Sequence, residues 1–362
     1  MPLDTDWSSY LHLVDGSPPV VEPAPDNPTG FAPIPLDQLG PSEPPDWIWH
    51  NYIARGHSTL LCGLWKGGKS TLLAHLLHDL EHGGPLSPEP IGAPVLVLTE
   101  EGPSHWMRRR DDLGLGGNTH IQRPTALGRP KMKDWIEFLG QVAEGVKSTG
   151  YAMVVIDTLS AFWPLEDEND AAAMGAALAP LRLVTDAGAA LLMVHHPRKG
   201  DGTQGTASRG SGALPGFVDM ILELRRFTND PDEAGDRRRK LAAYGRFDDT
   251  PPEVVIELTE HGYILEGSPA EVRTKDRTAK IIALLPKGEP GMNANEVMDA
   301  YPEKISIRSV RSLLNSGVAS GLWRTDGRGV RGDAARYWID PQAPLIDKHT
   351  APEPEQKYGG FV

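Results

Sequence analysis

Cysteine is almost missing from this chain: 362 residues contain one, Cys62. That leaves no disulfide and no cysteine-built zinc site, and a lone thiol fits a reducing, cytoplasmic setting. Long apolar runs are missing as well. Nothing approaches the ~18 consecutive apolar residues of a membrane span, so no membrane partner is expected. The opening MPLDTDWSSYLHLVDG has neither the basic start nor the apolar stretch of an export signal. Lys and Arg are absent from residues 1–46, which carry eight acidic side chains and many prolines. That segment reads as a disordered acidic arm.

What is present is unevenly distributed. The formal net charge of −13 argues by itself against nucleic acid, because phosphate binding needs cations. From Lys304 to Trp338, however, seven basic residues stand against two acidic ones, a local balance of +5. Segregated charge of this kind says more about partners than the total does.

Between the tails, short apolar runs without alternation (STLLC, APVLVLT, YAMVVIDT, AALLMVHH) are separated by helical patterns, one read as a single helix from Ala171 to Ala187. This predicts an α/β fold with a mainly parallel sheet and helices on both faces. From Asp219 four shorter runs, ending in GYILEG, read as antiparallel strands. After Ser268 three short helices and a glycine- and arginine-rich hairpin follow in the order of a winged helix-turn-helix. The predicted organisation is an arm over 1–46, an α/β domain over 47–268, a winged-helix domain over 269–340 and a disordered tail over 341–362.

The stretch CGLWKGGKST carries the spacing G-x-x-x-x-G-K-[ST], between an expected strand and an expected helix. Gly63 and Gly68 permit a turn whose amides converge on one point, and the helix adds its positive end. The loop residues Gly63, Leu64, Trp65, Lys66, Gly67 and Gly68, with Lys69, Ser70 and Thr71, form the expected cradle for ATP. Lys69 neutralises phosphate charge. The Ser70 hydroxyl and Asp157, at the end of VVIDT, are the expected Mg²⁺ group. Two carboxylates, Glu100 and Glu101, close the second strand, and hydrolysis needs a base or a water-orienting acceptor near the last phosphate. His75, His78 and His82 have metal-like spacing, but the leucine stripe of their helix (Leu72, Leu73, Leu76, Leu77, Leu80) turns them mostly toward solvent. RRRDDLG reads as an ion-paired helix face.

Taken together, the P-loop, a second strand ending in Glu, Asp157 on the third strand and VHHPRKG on the fourth resemble the RecA-like P-loop ATPases. Within that class the chain is similar to the RepA-type replicative helicase group, over roughly Trp47 to Glu266. The resemblance implies that one glutamate activates water, with Glu101 fitting the group's Glu-Gly form. It implies that His195 or His196 senses the γ-phosphate. It also implies that Arg198, Lys199 and Arg209, in the loop PRKGDGTQGTASRGSG, touch single-stranded DNA in a central channel. Members of the group complete each site with a Lys-x-Arg from a neighbouring subunit of a ring, usually a hexamer. Here Arg246 matches and Tyr244 stands in place of the lysine. In the C-terminal region Arg308 and Arg311 lie off an apolar helix stripe, where a recognition helix presents cations to duplex DNA. Arg328 and Arg331 sit in the following turn.

The combined expectation is a cytoplasmic, ATP-hydrolysing ring that acts on DNA as a helicase or helicase loader, with replication or initiator proteins as further partners. A regulatory switch ATPase acting on proteins, and a DNA-binding regulator controlled by ATP, are the alternatives.

Overall fold

The computed structural model describes residues 33–41, 43–124, 129–196, 212–228, 235–327, 329 and 334–341. The chain divides into two units, residues 1–44 and residues 45–362. In the first, the described residues contain one turn of 3-10 helix, Leu36–Gln38, with exposed side chains. Most of the expected arm, and all of the expected tail except Pro341, lie outside the described residues.

The second unit opens with β1 (Trp47–Trp49), β2 (Ile53–Ala54), β3 (Ser58–Gly63), α1 (Lys69–His82), β4 (Val95–Thr99), α2 (Pro103–Leu113), β5 (Thr119–Gln122) and α3 (Met132–Thr149). It continues through β6 (Met153–Asp157), α4 (Leu159–Phe162), α5 (Ala171–Leu178), α6 (Arg182–Asp186), β7 (Ala190–His195), α7 (Ala213–Phe217) and β8 (Met220–Arg226). Then come β9 (Arg238–Gly245), β10 (Val254–Thr259), β11 (Gly262–Gly267), α8 (Pro269–Leu284), β12 (Met292–Asn293), α9 (Ala294–Ala300), α10 (Ile307–Ala319), β13 (Arg324–Asp326) and β14 (Arg336–Trp338).

Nine strands form one sheet in the order β11-β10-β9-β8-β3-β7-β6-β4-β5. The six from β8 to β5 run parallel, and β9 to β11 extend the sheet antiparallel. Strands β3, β6 and β7 are buried along their whole length, because helices cover both faces. Alternation along β3 divides the core: Leu61 packs with the α1 leucines, whereas Leu60 and Cys62 face Trp135, Leu139 and Leu178. All five α1 leucines of the expected stripe are buried. The expected mostly parallel α/β sheet is therefore present.

Two elements differ from the expectation. The helix from Ala171 to Ala187 is broken: α5 ends at Leu178, a 3-10 turn spans Ala179–Leu181, and α6 restarts at Arg182. Pro180 sits in that turn, where its missing N–H ends the helical ladder. Helix α3, to which the sequence reading assigns nothing, buries Trp135, Leu139, Val142 and Val146 at amphipathic spacing. Its Trp135 donates Nε1–H to the Ala177 carbonyl at 2.9 Å.

Three helices and a three-stranded antiparallel sheet, β12-β14-β13, make up the C-terminal region with a core of its own around Trp323. Helix α8 starts at Pro269, where Ser268 and Glu271 form a reciprocal cap (2.8 and 3.3 Å). Val310 and Leu314 of α10 are buried, and Trp323 packs so closely on Gly317 that a Cβ there would lie 1.9 Å from its ring. Among the described residues, no helix is long and apolar enough to cross a membrane.

Candidate active site

The site gathers at the C-terminal ends of β3, β6, β4 and β7. Gly63 closes β3, and a Cβ there would meet the Leu224 carbonyl at 2.7 Å. Gly68 adopts φ 101° as it enters α1, a conformation that favours glycine. The turn between them is open to solvent: Leu64 is 66 % and Trp65 75 % exposed, with Lys66 Nζ lying 4.3 Å over the Trp65 ring.

Lys69 is buried at the start of α1. Its Nζ donates to the carbonyls of Gly63 (2.7 Å) and Leu64 (3.1 Å) and to His196 Nδ1 (3.0 Å). Burial lowers its pKa, and the charge of Asp157 opposes that shift. The Ser70 hydroxyl donates to Asp157 Oδ2 at 3.3 Å. Asp157 is itself buried, and desolvation, reinforced by the charge of Glu101, raises its carboxyl to about 6. A carboxylate raised this way gains most from a cation placed beside it.

The two glutamates are held differently. Glu100 is exposed, and its Oε1 accepts from the Thr158 hydroxyl at 3.2 Å. Glu101 turns inward, with its N–H on the Thr99 hydroxyl (3.1 Å) and its carboxylate bound by both terminal nitrogens of Arg109, one of them at 3.0 Å. The Arg109 guanidinium lies 4.6 Å over the Trp106 ring, and Trp106 Nε1–H points to the Thr99 hydroxyl (3.4 Å). Arg108 and Arg110 pair with Asp112 and Asp111 along α2 (3.2 and 2.7 Å). The ion-paired reading of RRRDDLG thus describes all three arginines, and the partner of Arg109, Glu101, belongs to the site.

The adjacent histidines part company at the end of β7. His196 reaches Lys69, and burial followed by the charge of Lys69 lowers its pKa. His195 turns into the core beside Trp163, with Nε2 3.9 Å from Glu168. Burial lowers its pKa to about 4, so it is neutral at pH 7, and Nδ1 has no hydrogen-bond partner among the described residues. The only cysteine, Cys62, lies buried nearby, its thiol pushed up to about 12 by burial and then by Glu223.

Arg246 is not at this end of the sheet. It is 64 % exposed, 3.3 Å from Asp219, and its Nη2 donates to the Gly216 carbonyl (3.2 Å). Asp219 in turn accepts from the Ser58 N–H and hydroxyl, both at 2.9 Å, where β3 begins. The strand separates this arginine from its own chain's Gly63 by roughly 17 Å. Arg308 and Arg311 are exposed on α10. Arg198, Lys199, Arg209, Arg328 and Arg331 lie outside the described residues.

A glycine cradle, a buried lysine held by carbonyls, a helix N-terminus and a Ser–Asp pair fit a nucleoside phosphate with its divalent cation. Residues 30–202 match the family model described as an AAA domain. The match supports an AAA/P-loop ATPase. An AAA ATPase binds nucleotide, usually with Mg²⁺, which suits Lys69, Ser70 and Asp157. The AAA domain match ends before β8 to β11 and the C-terminal helices. No curated protein matches the chain. Two contacts on the site escaped the sequence reading, Arg109 on Glu101 and Arg239 on the Gly67 carbonyl (3.0 Å). Both join positions whose relation only the fold creates.

Proposed function

We propose that the protein is a RecA-like, ATP-hydrolysing ring ATPase that acts on DNA in the manner of RepA-type replicative helicases or their loaders. The observation that carries this reading is the contact of His196 Nδ1 with the P-loop lysine, at 3.0 Å. It ties the end of β7, from which the glycine-rich basic loop departs, directly to the phosphate cradle.

The amides of the turn and the N-terminus of α1 receive the phosphates, and Lys69 moves from its carbonyl partners to phosphate oxygens. Ser70 and Asp157 would hold Mg²⁺, which would supply charge neutralisation at the phosphates. Glu101, once released from Arg109, accepts a proton from the attacking water. His196 loses its lysine contact when Lys69 turns to phosphate, so β7 registers occupancy. Arg246, remote from its own cradle, serves a neighbouring copy in a head-to-tail ring, where a cation meets charge growing on the transferred phosphoryl group. The duplex meets Arg308 and Arg311 on the winged helix, and the single strand meets the loop after His196. The setting is cytoplasmic.

One observation favours a switch ATPase acting on protein partners as a second reading: the candidate base is neutralised by Arg109. ATP turnover with and without single-stranded DNA, in wild type, Lys69→Ala, Glu101→Gln and Arg109→Ala, separates the two. The DNA-acting reading expects stimulation by DNA, loss of turnover in Lys69→Ala, and a drop on the order of 10²–10⁴-fold in Glu101→Gln with ATP still bound. DNA-independent turnover that rises in Arg109→Ala would favour the switch, and an unchanged Glu101→Gln would move the base to Glu100.

A further inference from the structure

Strand β9 approaches the phosphate cradle from the antiparallel side of the sheet, and its Arg239 has no part in the chemistry above. Arg239 is half-buried, on the same face as Leu241 and α1. Its Nε–H donates to the Gly67 carbonyl at 3.0 Å, across 172 residues of sequence. Its Nη1 is fixed by the carbonyls of Asp236 (3.0 Å) and Arg238 (2.8 Å). The guanidinium is thus held in place by backbone before any ligand arrives. Arg239 Nε and the buried Tyr263 hydroxyl lie 3.6 and 3.8 Å from where a Cβ of Gly68 would be, so together they form a wall behind the cradle.

We infer that Arg239 is a positioning residue for the P-loop, setting its grip on nucleotide phosphates through the Gly67–Gly68 peptide. The peptide is planar, so a carbonyl drawn to Arg239 directs the Gly68 N–H the opposite way. A carbonyl engaged by a cation also makes its own peptide N–H a stronger donor. Fixing that peptide before binding removes an ordering cost that the ligand would otherwise bear. The role rests on the nucleotide-binding reading of the site, and it belongs to the loop as a whole. It therefore applies to ATP and ADP alike, and it changes little once the site is saturated.

The test is calorimetric titration of the full chain with ATP and with ADP in the presence of Mg²⁺, alongside turnover at saturating ATP. Wild type is compared with Arg239→Ala, Arg239→Lys and Arg239→Gln. Arg239→Ala is expected to weaken both nucleotides by the same factor, on the order of tenfold. Its saturating turnover should stay within about twofold of wild type. Arg239→Lys, which keeps the charge and a donor, should recover part of the loss. If Arg239→Ala does not fold, the same split is read from Arg239→Gln against Arg239→Lys. Wild-type affinity for both nucleotides in a folded Arg239→Ala overturns the role. So does a loss confined to saturating turnover, or one felt by ATP but not ADP. Absence of heat with wild type would instead remove the nucleotide reading itself.

Discussion

The P-loop core and the C-terminal helices place their ionisable groups in opposite surroundings. In the core Lys69, Asp157 and His195 are buried, each with a pKa moved by desolvation before any other cause. In the C-terminal region Arg308 and Arg311 stand exposed on α10, off a stripe that buries Val310 and Leu314. A charge taken out of water becomes sensitive to small changes beside it, whereas one left in water acts mainly through its field. The first arrangement suits chemistry at a point. The second suits contact across a surface.

The sharpest way to separate the two regions is Trp323→Ala. Trp323 is fully buried on Gly317, with Nε1–H on the Leu314 carbonyl at 2.8 Å. Its truncation should cost the C-terminal core about 3–5 kcal/mol while leaving ATP binding near wild type. Denaturant unfolding followed together with nucleotide calorimetry checks this. A matching fall in ATP affinity would mean that the regions are not energetically separate.

A smaller effect probes the buried side. The folded pKa of Asp157, about 6, lies above the usual aspartate value of 3.8, so the fold holds the proton more tightly. Stability from this group is complete below about pH 4 and is lost as pH rises to about 6, a change of about 3 kcal/mol. Asp157→Asn should flatten that step in metal-free protein. The measurement is the pH dependence of the wild-type minus Asp157→Asn unfolding free energy. A difference that is constant from pH 4 to 7 would refute the assigned burial.

The smallest effect belongs to the exposed side. Arg308→Ala and Arg311→Ala should each weaken duplex binding less than about tenfold, lowering the slope of log affinity against log salt by about one. Filter binding across a salt series reads this directly. Unchanged slopes would make α10 a surface for something other than phosphate.

Much of the core was legible because its signals are local. The glycine spacing, the five-leucine stripe of α1 and the acid ending VVIDT each depend on neighbours within a few residues, and the structure places all three where that spacing requires. The alanine-rich helix misread at Pro180 was local as well, and there composition outweighed a single imino acid. Helix α3 was missed although its apolar period is clear. By contrast, the pairing of Arg109 with Glu101 needed the turn from β4 into α2, and Arg239 needed a strand from the far side of the sheet. No periodicity encodes either. Which histidine meets Lys69 was equally illegible, since the sequence writes two identical residues side by side.

That last ambiguity has a mechanical consequence. Successive side chains on a strand face opposite ways, so the parity of β7, counted from Ala190, decides which imidazole is sealed among Trp163 and its neighbours and which one touches the ammonium. Adding or deleting one residue within β7 would exchange the two without altering any functional group. Strand length is therefore as much a component of this candidate site as the side chains it carries.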